Sequence, residues 1–193
     1  MMSISNDVSV DLGDRIMAAA DSCVRDFGVR RVTLAEIARR AGVSRPTVYR
    51  RWPDTQAILA TLLTHRIVTV WSETPAGGTG RAAVVRRIVD VARRLRDDDL
   101  ILEILRSAPD LAMVYISERL GTSQQIVIDL VAEQLRDAQA DRSVRAHDPR
   151  QLAAMVLLIT QSVIQSAQIV SPILDAEELD AELARALNGY LSP

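Results

Sequence analysis

The chain contains no lysine: all 23 basic residues other than histidine are arginine, which is most simply read as the mark of a GC-rich genome. Aromatic residues are scarce, at 3% with a single Phe, and there is one cysteine. A lone Cys23 excludes a disulfide within the chain. Its place on the apolar face of the first predicted helix marks it as a buried structural thiol. His65 and His147 are isolated, no Cys/His cluster exists, and no glycine-rich loop follows a strand. The sequence therefore predicts no metal, no cofactor and no catalytic centre, and the chain is not expected to be an enzyme. The amino-terminal MMSISNDVSVDLGD has no basic stretch followed by an apolar run, so no signal peptide is expected. The longest unbroken apolar run, Leu152 to Ile159, is far short of the ~20 residues that span a bilayer. These two absences predict a cytoplasmic protein without a membrane segment. No strand alternation and no internal repeat is visible.

What is present is helical. Apolar residues make up 48% of the chain and are mostly Leu, Ala, Ile and Val, the composition of helices packed on helices. Apolar residues recurring at 3.6-residue spacing predict an all-α fold of nine or ten helices. Residues 1–10 read as a disordered tail, 11–56 as a small DNA-binding domain, and 57–193 as a second helical domain. The first helix is expected over Leu12–Phe27, with Ile16, Ala19, Ala20, Cys23, Val24 and Phe27 inward. A long helix runs from the Asp54 cap to about Ser72, and the loop ETPAGGTG (73–80) follows it.

The stretch around which the chain is organised is TLAEIARRAGVSRPTVYRRW, Thr33 to Trp52. Thr33 and Glu36 have the spacing of a capping box. Leu34, Ile37, Ala38 and Ala41 fall on one face. Gly42 stands where the chain must leave the helix through a left-handed residue. Ser44 caps a second helix with Pro46 in its first turn, where a missing N–H costs little. Val48 points inward, leaving Arg45, Thr47, Tyr49, Arg50 and Arg51 outward. This is a helix-turn-helix with a basic second helix of the width that enters a DNA major groove. From Arg25 to Arg51 there are eight arginines (Arg25, Arg30, Arg31, Arg39, Arg40, Arg45, Arg50, Arg51) against Asp26 and Glu36, a local +6. Residues 57–193 carry fourteen arginines against eighteen acids, a local −4. A basic module on an acidic body fits a DNA-binding head with a separate partner domain. Within the head, Arg45 suits base readout because a guanidinium can bond guanine O6 and N7 together, and Thr47 could add a base or thymine-methyl contact. Thr33, Tyr49, Arg50 and Arg51 suit phosphates.

ARRAGVS (38–44), then Thr47-Val48-Tyr49, Trp52-Pro53-Asp54 and Ala57-Ile58-Leu59 together resemble the amino-terminal domain of the TetR family of bacterial transcriptional repressors. Arg51, Trp52 and Thr55 depart from the residues common there (His, Phe and Lys). The resemblance implies a dimeric repressor of double-stranded DNA, with a helical ligand-binding domain behind the reading head and Ser44 and Pro46 within the DNA-facing element.

The second domain carries its own signals. The helix expected from Pro149 to Val170 is apolar on most sides: Leu152, Met155, Val156, Ile159, Val163 and Ala167 form one stripe, and Ala153, Ala154, Leu157, Leu158 and Ile164 cover much of the remainder. The last helix repeats the pattern with Leu179, Leu183 and Leu187. A helix apolar all round needs cover all round, so Leu152, Val156, Ile159, Val163, Leu179, Leu183 and Leu187 are expected at a homodimer interface. Two reading heads related by a two-fold then meet an inverted-repeat operator, with half-sites about 34–36 Å apart or a multiple of that. Trp71, Met113, Tyr115, Met155, Gln161 and Gln165 are candidate walls of a mostly apolar ligand cavity with a few polar groups. The expected function is a ligand-responsive repressor released by a small apolar effector. Two alternatives stay open: a ligand-independent DNA-binding protein acting through a protein partner, and an activator.

Overall fold

The computed structural model describes residues 4–107 and 122–193. Among them every regular element is helical: α1 Ile4–Phe27, a 3₁₀ turn Val29–Arg31, α2 Leu34–Ala41, α3 Arg45–Arg51, α4 Thr55–Glu73, α5 Gly80–Arg96, α6 Asp99–Ser107, α7 Thr122–Ala140, α8 Pro149–Val170 and α9 Ala176–Leu191. The helix expected over 109–120 lies outside the described residues. Helix α1 begins at Ile4, not near Leu12, so the tail expected over 1–10 is helical from residue 4. Ile4, Val8, Leu12 and Ile16 keep a four-residue spacing, which carries the helical register back through a stretch of low apolar density.

The described residues form two compact units, 4–66 with 99–107 and 67–98 with 122–193. The division falls inside α4, not at residue 56, and it assigns α6 to the first unit. The reason is burial. Ile58, Leu59, Leu62 and Leu63 of α4 complete the core made by Ile16, Ala20, Cys23 and Val24 of α1 and Ile37, Ala38 and Val48 of the turn motif. Helix α6 packs on α1 and the 3₁₀ turn, and the Arg30 guanidinium donates to the Ser107 carbonyl at 2.6 Å. Cys23 is fully buried, which pushes its thiol pKa up and keeps it unreactive. Phe27 departs from the expected inward set: it is 42% exposed, with the Arg40 guanidinium 4.7 Å above its ring.

In the second unit α5 packs against α7, α8 and α9, α7 against α8, and α8 against α9. Val84, Val85, Ile88 and Ala92 of α5 meet Val131, Ala132 and Leu135 of α7, Leu152 and Val156 of α8, and Leu183 and Leu187 of α9 in one core. Asp148 caps α8, and Asp175 with Glu178 forms a complete capping box on α9. A partly buried ion pair, Arg96 to Asp180, ties α5 to α9.

This packing places most of the residues expected at the interface in the chain's own core. Leu152, Val156, Leu179, Leu183 and Leu187 are buried by their own chain, and Ile159 and Val163 are half-buried. A helix apolar on two faces gives no indication in its spacing of which face meets its own core. The opposite face of α8 is the bare one: Met155 is 42% exposed, Leu158 60% and Ile169 79%. Helix α8 is also long and apolar enough, by length and composition alone, to cross a membrane, although its unbroken apolar run is short. Thr160, Gln161 and Gln165 interrupt the run without making the helix polar on average.

Candidate nucleic-acid interface

The turn motif is built as its local chemistry dictates. The Thr33 hydroxyl accepts the Glu36 N–H at 3.2 Å and starts α2. Gly42 takes the left-handed conformation (φ 64, ψ 36), and the Val43 N–H closes back on the Ala38 carbonyl at 3.0 Å. The turn leaves Ser44 in extended backbone, where its Oγ accepts the Thr47 N–H at 3.3 Å and lies 2.7 Å from the Thr47 hydroxyl. Helix α3 is only seven residues long, too short to stand alone in water. Val48, fully buried, fastens it from within. Trp52, buried at its end, donates from Nε1 to the Thr61 hydroxyl at 2.9 Å, tying α3 to α4. Asp54 accepts the Ala57 N–H at 2.8 Å and caps α4.

The outward set is as the register predicts, with one refinement. Thr33, Ser44, Arg45, Pro46, Tyr49, Arg50 and Arg51 are exposed, and Thr47 is half-buried. Arg45 and Arg50 make no hydrogen bond or ion pair among the described residues, so both guanidinium groups are free for a ligand. The Arg51 guanidinium instead folds over the Trp52 ring at 5.1 Å and lies against Gly13 of α1. The Thr47 hydroxyl is engaged by the Ser44 cap, which favours its methyl as the outward group.

The positive charge of the head is unevenly engaged. Of the eight arginines from Arg25 to Arg51, Arg25 pairs with Asp21, Arg30 bonds a carbonyl of α6, and Arg39 and Arg40 both bond Glu36. Arg40 also reaches Asp26 and the Ser22 hydroxyl, which locks α2 onto α1. The positive charge left free gathers on α3 and at Arg31. The expected reciprocal half of the capping box is absent for the same reason: the Glu36 carboxylate turns to Arg39 (2.7 and 2.8 Å) and Arg40 (3.0 Å).

Those bonds, from Arg39 first and Arg40 second, hold the Glu36 pKa at about 2 against an ordinary 4.5. A depressed carboxylate contributes stability that is present above pH 4.5 and is lost as pH falls toward 2. The first unit of wild-type protein is therefore expected to lose helix between those values in an acid titration followed by circular dichroism. Glu36→Gln, which has no proton to gain there, should flatten that part of the curve.

Of the candidate ligand residues, four are among the described ones. Trp71 is buried at the end of α4, with the Arg87 guanidinium 4.3 Å over its ring and donating to its carbonyl at 2.8 Å. Burial holds the Arg87 pKa below its usual value. Gln161 and Gln165 are half-buried on α8, and Met155 faces outward. Met113 and Tyr115 lie outside the described residues.

A seven-residue basic helix presented by a tight turn on a small helical core defines the helix-turn-helix class of DNA-binding proteins. Residues 16–62 match the model of the bacterial regulatory proteins of the tetR family. An HTH-type transcriptional regulator of Mycobacterium tuberculosis is 61% identical over 191 residues, covering 99% of this chain and 100% of that protein. The chain belongs to the TetR family of transcriptional regulators. Among solved structures, the repressor QsdR of R. erythropolis aligns with a TM-score of 0.73 at 17% identity, over 96% of this chain and 97% of that one. FadR of Thermus thermophilus, in complex with lauroyl-CoA, aligns at 0.64 and 22% identity, over 90% and 92%.

Proposed function

We propose that this regulator is a cytoplasmic repressor that binds an inverted-repeat operator as a homodimer and is released by a small, largely apolar effector. The bare face of α8 carries the reading. Met155, Leu158 and Ile169 lie outward on a helix whose other face is already buried, and a second copy of the chain offers the same surface in return. Burying each such side chain contributes about 1.5–3 kcal/mol. In the dimer, Arg45 reads a base edge from each head, and Tyr49 and Arg50 hold phosphates with Thr33. Arg51 acts from its place against Trp52, steadying the end of α3 and adding charge beside the backbone. The effector occupies the second unit and acts through α4, whose residues belong to both units. It shifts the equilibrium only by preferring the arrangement that does not fit the operator.

A duplex selected by the wild-type protein from a random pool, followed by fluorescence anisotropy, tests the gating. Titration with lauroyl-CoA and a panel of small apolar metabolites should release the duplex with at least one compound. Release by none, with tight operator binding intact, would favour the ligand-independent reading in which a protein partner acts on the acidic unit. Increased transcription on operator occupancy would make the protein an activator.

A further inference from the structure

Every buried side-chain nitrogen or oxygen without a partner, among the described residues, belongs to the second unit: Arg81 Nη1, Arg87 Nε, Arg96 Nη1, Gln134 Oε1, Arg145 Nε and Thr160 Oγ1. Two of them, on Arg81 and Arg145, belong to residues anchored to the same short segment, the loop between α7 and α8.

That loop borders a groove of about 490 Å³ lined by Gln139, Arg142, Val144, Arg145, Ala146, His147 and Pro193. Its backbone is fixed from several sides. The Gln139 amide donates to the Arg145 and His147 carbonyls at 2.9 and 2.8 Å. The Arg145 N–H donates to the Leu191 carbonyl at 3.0 Å, and the Ser143 N–H to the Ala138 carbonyl at 3.1 Å. Ser143 Oγ in turn accepts the Arg81 N–H at 2.7 Å. The cationic side chains are the uncommitted part. Arg145 lies over the Tyr190 ring at 4.6 Å, and its guanidinium has no hydrogen bond or ion pair among the described residues. Arg142 is likewise unpaired, and it is the one described residue other than glycine with positive φ, at 60°. That conformation closes α7 as a left-handed helix end, with the Arg142 N–H donating to the Gln139 carbonyl at 3.0 Å, and it sets the side chain at the groove. His147 is exposed on the same rim. Two side-chain carboxylates flanking the loop are engaged: Asp141 accepts the Ser143 N–H at 2.9 Å, and Asp148 caps α8.

We propose that this groove is an anion site, taking the carboxylate or phosphate group of a small metabolite between Arg142 and Arg145, with His147 at its rim. None of these residues is among those named as DNA contacts or effector walls, so the proposal does not rest on the gating reading. Guanidinium groups bind both anions through paired N–H donors, and the two sources differ in charge and oxygen count.

The test is a titration of the full-length protein with inorganic phosphate and, separately, with acetate, at constant ionic strength with sodium chloride as reference. The Arg145 Nε–H resonance is followed by ¹⁵N NMR, and affinity is measured by calorimetry. Saturation by phosphate alone assigns a phosphoryl ligand, by acetate alone a carboxylate, and by both an anion site that does not discriminate. Arg142→Gly relieves the left-handed strain, so it should melt no lower than wild type while weakening the saturating anion by about tenfold or more, the loss of one charge-assisted contact. A linear drift indistinguishable from chloride would overturn the proposal, and so would unchanged affinity in Arg142→Gly.

Discussion

Leu158→Glu is expected to turn the dimer into a monomer and to remove high-affinity binding to an inverted-repeat duplex. Leu158 is 60% exposed on the bare face of α8, so the substitution leaves the chain's own core intact. The cost falls on association, and the two-fold makes it fall twice. Losing two buried leucines is worth about 3–6 kcal/mol, or about two to four orders of magnitude in the dimer dissociation constant, before the carboxylates are desolvated. Sedimentation equilibrium reads the mass, and circular dichroism should show wild-type helix content. The contrasting variant is Leu187→Ala. Leu187 is fully buried within one chain, so its truncation should destabilise folding by about 2–5 kcal/mol. If Leu158→Glu remained a dimer, the outward face of α8 would not be the interface.

Arg45→Ala is the second large effect. Arg45 is exposed at the start of α3 and its guanidinium is uncommitted. A bidentate contact to guanine is worth about 1–3 kcal/mol, and a dimer makes two of them, so the selected duplex should lose about 2–6 kcal/mol of binding. A scrambled duplex should lose far less, and preference at one base pair in each half-site should relax. Arg50→Ala should behave differently. It should weaken binding on all sequences alike and shallow the salt dependence by about 0.9 in log–log slope for each phosphate contact removed. Equal losses on both duplexes for Arg45→Ala would make that residue a phosphate contact.

The sequence made the turn motif legible because each of its parts has one local solution. A threonine or serine accepts the N–H three residues on, a glycine takes the left-handed exit, and a proline sits where no N–H is needed. The caps at Asp148 and Asp175 are legible on the same grounds. Properties set by tertiary packing were not. Phe27 shares the apolar spacing of α1, yet Arg40 reaches over it from α2 and it stays at the surface. The +6 of the reading head gives the sum of its charges and not their placement: Arg25, Arg39 and Arg40 are paired with Asp21, Glu36 and Asp26, which leaves the unpaired charge on α3 and at Arg31. In α8 the two apolar faces are equivalent to any periodicity, so the spacing does not say which of them the chain's own core covers. The free guanidinium groups of the α7–α8 loop carry no sequence signature at all. Arg142 and Arg145 read as ordinary surface charge until the backbone angle and the missing acceptors are seen.

The central claim is that two copies of this chain present their α3 helices to one duplex through a two-fold axis. Hydroxyl-radical footprinting of the wild-type protein on its selected operator tests this most directly. The account predicts two protected half-sites of inverted sequence, with centres about 34–36 Å apart or at a whole multiple of that distance. A single protected half-site of unsymmetrical sequence, saturated by one chain per duplex, would contradict it.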